Sequence, residues 1–255
     1  MINQEISGNV PANQVALVTG GGRGIGREIA RQLGDAGVLV VLAGRSQPDL
    51  TAAAEDLRGG GAEVDTITLD ITNTSSIARA TATLEHRYGR IDILVNNAAI
   101  RIEKYGLTPS EQPLDKWRET FETNLFGTIA LTQSLLPLVR RARAGRIVNV
   151  SSLLGSIGTH TDCTSYAYTP FFKSLPAYSA SKCALNSWTV HLAFELRDTA
   201  IKVNSVHPGY TRTSMNDGAG EQDPPDGAKA SVRMALLPAD GPSGTFTHLD
   251  TTLPW

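Results

Sequence analysis

The sequence predicts an α/β fold: a single-domain, Rossmann-type doubly wound parallel sheet with helices on both faces. Short β-branched apolar runs recur along the 255 residues, with helix-length amphipathic stretches between them. Strands alternating with helices imply crossover connections and hence parallel strands. The runs are apolar nearly throughout, as in a sheet covered on both sides. A composition of 41% hydrophobic and 19% charged residues suits a globular chain with a sizeable core. No repeat or linker divides it, so residues 1–255 are read as one domain.

The first strand is "VALVTG", and it runs straight into "GGRGIGREIARQL". Thr19 to Gly26 reads "TGGGRGIG". Glycines there let the backbone approach a pyrophosphate, and the N–H groups of the helix start face the anion. A glycine cluster alone is equally a plain turn. Closing a strand and opening an amphipathic helix is the context that marks a dinucleotide site. Gly20, Gly22, Arg23, Gly24, Ile25 and Gly26 are therefore expected to hold phosphates.

The second strand, "VLVVLAG", precedes the helical stretch "PDLTAAAEDLRGG". At its end an NAD site usually places an acidic residue on the ribose 2′-OH. Here Gly44 is followed by Arg45. A carboxylate would repel a 2′-phosphate, whereas a guanidinium holds one bidentately. Arg45 and Arg23 are either a pair converging on that phosphate or two surface arginines; the first reading gives NADP(H). The third strand, "AEVDTITLD", ends at Asp70, followed by Ile71. Asp70 either receives the adenine amino group or caps the next turn.

Next come a helix, "NTSSIARATATLEHRYG", and a fourth strand, "IDILVNNA". The stretch from Pro113 to Gly145 has helical character and ends in "RRARAGR". Cations there suit a helix C-terminus with Gly145 as its stop. Lys+Arg total 23 against 25 Asp+Glu, which gives no footprint for a nucleic acid. Strands follow at "GRIVNVSS" and "IKVNSVHPG", separated by the helix "YSASKCALNSWTVHLAFEL". Residues 216–228 read as a polar loop rich in Gly and Pro, and "GTFTHL" as a last strand.

Two cysteines, Cys163 and Cys183, fit a reducing compartment better than a disulfide framework. The five histidines are scattered, so no metal site is expected. The segment "MINQEISGNVPANQ" lacks the pattern of a signal peptide, and the run "VLVVLA" is too short to span a membrane. A cytoplasmic protein is expected, without membrane or nucleic-acid partners.

The chemistry is expected in "SYAYTPFFKSLPAYSASKCAL", Ser165 to Leu185. Of its tyrosines, Tyr178 alone has a lysine, Lys182, four residues later, which shares its helix face. An ammonium stabilises a phenolate and lowers the tyrosine pKa from about 10. The spacing is common by chance, so the pair by itself is weak.

Several motifs then occur in order: "TGGGRGIG", "NNAA" (Asn96 to Ala99), Asn124 in "FETNLFGT", "NVSSLLG", "YSASK" and "HPGYTRT". Together they resemble the classical short-chain dehydrogenase/reductases over essentially the whole chain. The resemblance implies that Tyr178 is the general acid in carbonyl reduction, or the base in alcohol oxidation. It implies that Lys182 lowers the tyrosine pKa and bonds the nicotinamide ribose. It makes Ser152 the donor to the substrate oxygen, and Asn124 the holder of a water linking Lys182 to solvent. Asn97, Ala98 and Ala99 would line the cofactor, and Pro208, Gly209, Thr211 and Thr213 would meet the nicotinamide. Ser152, Leu153, Leu154, Tyr178, Tyr210 and Met215 are expected to line a substrate pocket.

The chain departs from the family pattern in three places. Ala99 replaces a usual glycine, and the chain ends "LDTTLPW" where a glycine-rich segment is usual. Ser152 and Tyr178 lie 26 positions apart, about twice the usual interval. The extra residues, approximately 153–177, resemble the insertion of the monomeric carbonyl reductases and the related plant terpenoid-ketone reductases. On that likeness Phe171 and Phe172 would pack over the helix face used elsewhere for dimerisation, leaving a monomer; the other reading is an ordinary surface loop. The expected activity is NADPH-dependent reduction of an apolar ketone, aldehyde or quinone. The alternatives are an NAD(P)-dependent alcohol or hydroxysteroid dehydrogenase working oxidatively, or a non-catalytic NADP-sensing protein.

Overall fold

Every apolar run named above becomes a strand, and most of them are buried on both faces. In the computed structural model, which describes residues 14–255, β1 (Val15–Thr19) sends Ala16 and Val18 into one core and Val15 and Leu17 into the other. Most of the segment examined for a leader, residues 1–13, lies outside the described residues. The other strands are β2 (Leu39–Gly44), β3 (Val64–Thr68), β4 (Ile93–Asn96), β5 (Arg146–Val150), β6 (Lys202–Val206), β7 (Phe246–His248) and β8 (Thr251–Thr252). They form one sheet in the order β3-β2-β1-β4-β5-β6-β7-β8. All pairings are parallel except β7 with β8. The strand order reverses between β1 and β4, and a ligand crevice opens at the C-terminal strand ends of such a point.

Helix α1 (Gly24–Asp35) and helix α2 (Gln47–Gly59) cover one face. Ser46 caps α2 by accepting from the Asp49 N–H at 3.4 Å. Helix α3 (Thr74–Tyr88) lies on the other face, capped by Asn73, which accepts from the Ser76 N–H at 2.9 Å, and ended by Gly89.

Three details differ from the sequence expectation. The stretch read as helical from Pro113 is helix α4 (Leu114–Phe121), then a π-helical segment, Glu122–Gly127, then helix α5 (Thr128–Arg140). Arg146, read with the basic run, is instead a buried residue of β5. Its guanidinium donates to the carbonyls of Leu237, Pro238, Gly145 and Ala200. Finally, part of the loop read at 216–228 is the start of helix α8 (Pro224–Ala235). Its two prolines stand in the first turn, where the missing N–H costs nothing.

The insertion folds as short 3₁₀ turns at Leu153–Gly155, Gly158–His160 and Tyr166–Tyr168, then helix α6 (Pro170–Lys173). Helix α7 (Pro176–Glu195) follows and carries Tyr178. The ring contacts of Phe171 and Phe172 are with Tyr105, Tyr166 and Tyr210, on the strand-end loops. Val190 and Phe194, one turn apart on α7, stay exposed, as does Phe126 in the π-helical segment. The placement of Phe171 and Phe172 thus corrects the expectation, and with it goes the packing argument for a monomer. Aromatic side chains reach each other across the loops because the inserted segment turns toward the strand ends.

Candidate active site

A cleft of about 420 Å³ opens where β1 and β4 diverge. Thr19 sets its floor. The Thr19 hydroxyl donates to the Val95 carbonyl (3.2 Å) and accepts from the N–H groups of Asn97 (2.9 Å) and Ala98 (3.0 Å). The Asn97 side chain donates back to the Thr19 carbonyl at 2.9 Å. The end of β4 is thereby fastened to the glycine loop. Gly20, Gly22, Arg23, Gly24, Ile25 and Gly26 all line the cleft, as do Arg45, Asp70, Ile71, Asn97, Ala98, Ala99, Thr213 and Met215. A side chain at Gly26 would run into the Gly20 carbonyl and the Asn97 amide. The loop is therefore folded back on itself, with room for a phosphate against the start of α1.

At the far end, Arg23 and Arg45 are exposed, and neither guanidinium has a hydrogen-bond or ion-pair partner among the described residues. Asp70 shapes a turn, as one of its two readings had it, and also lines the cleft. It accepts from the N–H and the hydroxyl of Thr72. Burial works to raise its pKa, but the Thr72 bonds and the charge of Arg45 prevail and hold it below the usual carboxylate value. Ser46, Asp49, Arg101 and Ile102 also line the cleft and were not singled out by sequence. The exposed arginines, the tight glycine loop and the anion-ready helix start fit a dinucleotide with an extra phosphate.

Several expected residues do not line this cleft: Pro208, Gly209, Thr211, Tyr178 and Lys182 among the cofactor contacts, and Ser152, Leu153, Leu154 and Tyr210 of the pocket. Pro208 and Gly209 present their carbonyls to the Thr211 hydroxyl, at 3.3 Å each, and Thr211 is buried. The Gln222 amide donates to the Pro208 carbonyl and to the Thr211 hydroxyl. These groups are spent on holding the loop after β6 against residue 222. Leu154 is buried with Ala167 and Leu175 beneath the insertion, so it supports the pocket and does not line it. Leu153 remains partly exposed.

The chemical residues do converge. The Ser152 hydroxyl accepts from the Leu154 N–H at 3.2 Å and lies near enough to the Tyr178 phenol to favour its ionised form. Lys182 is buried, its Nζ 5.7 Å from the centre of the Tyr178 ring and donating to the Val150 carbonyl at 2.8 Å. Arg101 lines the cleft, and its charge acts on Tyr178. One electrostatic expectation is corrected. Burial pushes Tyr178 up to about 12, against the opposing pull of Ser152 and Arg101. Burial also pushes Lys182 down to about 7. Desolvation penalises both charged forms and is the leading cause of both shifts.

The Asn124 side chain accepts from the Ile100 N–H (2.8 Å) and donates to the Ile100 carbonyl (2.9 Å) and the Ser181 hydroxyl (3.1 Å). It ties the strand-end loop to α7. Its backbone carbonyl, in the π-helical segment, accepts from the Thr128 hydroxyl at 3.4 Å.

Tyr166 is more than packing. Its hydroxyl meets His207 Nε2 at 3.2 Å, and its ring stacks on Tyr210 at 6.3 Å. His207 Nδ1 accepts from the Leu153 N–H, so Nε2 carries the proton and donates to Tyr166. Burial pushes His207 down to about 3, keeping it neutral.

A doubly wound sheet, a cleft at its switch point lined by a glycine loop, and a Ser–Tyr–Lys cluster together define a Rossmann-type oxidoreductase. The profile of the short chain dehydrogenase family matches residues 14–224. A short-chain dehydrogenase of Penicillium roqueforti is 35% identical over 225 residues, covering 87% of this chain and 88% of that protein. Salutaridine reductase of Papaver bracteatum is 33% identical over 294 residues, covering 91% and 93%. The solved structure of an actinorhodin polyketide ketoreductase with NADPH matches with a TM-score of 0.77 at 29% identity, covering 93% of this chain and 95% of that one. The chain belongs to the short-chain dehydrogenase/reductase family of oxidoreductases, which use nicotinamide cofactors.

Proposed function

We propose that the protein reduces the carbonyl of an apolar ketone, aldehyde or quinone with NADPH. The observation that carries this reading is the grouping of Lys182, its Nζ 5.7 Å from the Tyr178 ring centre, with Ser152, which acts on the same phenol. When bound, NADPH supplies the hydride. The glycine loop would hold its pyrophosphate, and Arg23 and Arg45 its 2′-phosphate. Ala98 and Ala99 would lie along its ribose.

The substrate oxygen would sit between Ser152 and Tyr178. Ser152 donates to it as negative charge develops. Tyr178, protonated at neutral pH, gives its proton to the same oxygen. The phenolate left behind is a far stronger base than Lys182, so proton return from the lysine side runs downhill. The aromatic wall of Tyr166, Phe172 and Tyr210 excludes water and favours an apolar substrate.

A second reading, an NAD(P)-dependent dehydrogenase working oxidatively, draws on Asp49. Its carboxylate-bearing side chain packs beside Gly22 and lines the arginine end of the cleft. Cofactor kinetics separate the two. The NADPH reading expects a KM for NADPH well below that for NADH, and a rise of about tenfold or more on Arg45→Asp, as for loss of one charge-assisted pair. A lower KM for NADH would overturn it. The proposal places the protein in the cytoplasm, in keeping with the two free thiols, Cys163 and Cys183. Among the described residues no helix is long and apolar enough to cross a membrane.

A further inference from the structure

Glu103 stands in the loop after β4, 75 positions before Tyr178. Its side chain crosses that distance to accept the Tyr178 backbone N–H at 2.5 Å. The residue is 7% exposed, and its second carboxylate oxygen is buried without a partner among the described residues. Tyr178 lies in the first turn of α7, where N–H groups have no partner within the helix. The residue before the helix, Leu175, supplies no side-chain cap. The carboxylate thus takes the place of a local cap, and it does so on the residue that carries the chemistry.

We propose that Glu103 is a positioning residue, which fixes where the Tyr178 hydroxyl meets the substrate carbonyl. The inference rests on the reading of Tyr178 as the proton donor. The loop that bears Glu103 is itself held. The Gln112 side chain bonds the N–H and carbonyl of Lys104 and reaches the Ser174 carbonyl just before α7. Asn124 holds Ile100 in the same way. Glu103 is therefore a fixed point between two anchored residues, and α7 starts where that point places it.

A negative charge beside a phenol also opposes its ionisation, and Glu103 acts on Tyr178 in that sense. The other groups facing Tyr178 come from every neighbouring element. Lys182 is on α7 itself, and Arg101 is on the same loop as Glu103. Ser152 follows β5. Tyr166 belongs to the insertion and is bonded to His207 after β6. Only Glu103 among them brings a carboxylate.

Two variants test the proposal in the full chain. Glu103→Gln keeps an oxygen to accept the Tyr178 N–H and removes the charge. Its rise of alcohol oxidation with pH, between about pH 7 and 10, should start earlier, with the rate at a fixed pH up by about threefold or more. Glu103→Ala removes the acceptor. It should lower kcat by about tenfold or more and leave the KM for NADPH within about twofold, since a small misplacement is costly only at the reacting atoms. A Gln variant that loses kcat as far as Glu103→Ala overturns the proposal, since its oxygen should keep Tyr178 in place. So does an Ala variant with wild-type kcat. If Glu103→Ala does not fold, Glu103→Asp, which keeps the charge and draws the oxygen back by one methylene, takes its place, and wild-type kcat there overturns the proposal. Wild type no faster than Tyr178→Phe would instead defeat the functional reading, before Glu103 is at issue.

Discussion

Lys182 shows how a functional residue is held against its own preference. It is buried, and among the described residues it has no ion-pair partner and donates to one carbonyl. Its folded pKa of about 7 lies below the ordinary 10.5. The fold therefore prefers the neutral amine. Above about pH 10.5 that preference costs nothing; as pH falls toward 7 the unfolded chain binds a proton the folded chain does not, and stability is lost. Lys182→Met should remove this penalty. At pH 7 it should stabilise the fold by about 2–4 kcal/mol, the depressed pKa offset by one lost hydrogen bond. The gain should vanish near pH 10.5, and activity should be lost. Denaturant unfolding at the two pH values measures both. A Met variant less stable than wild type at pH 7 would contradict the account.

Sequence spacing brought out Tyr178 and Lys182 because four residues on a helix share a face. It could not bring out Glu103, whose partner lies 75 positions away and is a backbone N–H. Nor could it show that burial, and not the lysine, dominates the tyrosine's pKa. Desolvation depends on what the insertion and the loop after β6 place over the site.

At the scale of elements, most strands and helices were legible because apolar periodicity and glycine stops carry them. The failures have local causes. The two prolines at the start of α8 read as loop residues, although proline is well suited to a helix's first turn. The π-helical segment has the same composition as the helices on either side; its extra residue has no sequence mark. The two-residue β8 is too short for any pattern.

One exacting contact between elements is the one at Gly155. A Cβ there would lie 2.9 Å from the backbone of Lys182. The turn after Ser152 thus rests directly on α7, and this contact sets the Ser152–Tyr178 separation. Gly155→Ala should part them. The expected result is a loss of kcat of about tenfold or more with little change in the KM for NADPH. Steady-state kinetics with both substrates varied checks it. Wild-type kcat would mean that the turn and helix can shift without consequence.

Across the whole molecule, three segments close over the site. The Arg101 guanidinium, on the loop after β4, donates to the Met215 carbonyl on the loop after β6 at 2.8 Å and bonds the Tyr105 hydroxyl. Tyr105 stacks on Phe171 at 5.9 Å. Phe171 meets Phe172, and Phe172 meets Tyr210 on the loop after β6. The contacts form a circuit around the mouth, which the sequence showed only as a crowd of aromatics. Phe172→Ala should open it, raising the KM for an apolar ketone by about tenfold while leaving that for NADPH unchanged, as for removal of a buried aromatic wall. Equal changes in both would place Phe172 outside the substrate pocket.

The central claim is that this circuit encloses a Tyr178 proton donor in a carbonyl-reducing site. The direct measurement is NADPH consumption over a panel of apolar ketones, aldehydes and quinones by wild type and Tyr178→Phe. The account predicts turnover of at least one of them by wild type and a loss of about 10²-fold or more in the Phe variant. Wild type no faster than Tyr178→Phe on every compound would contradict it.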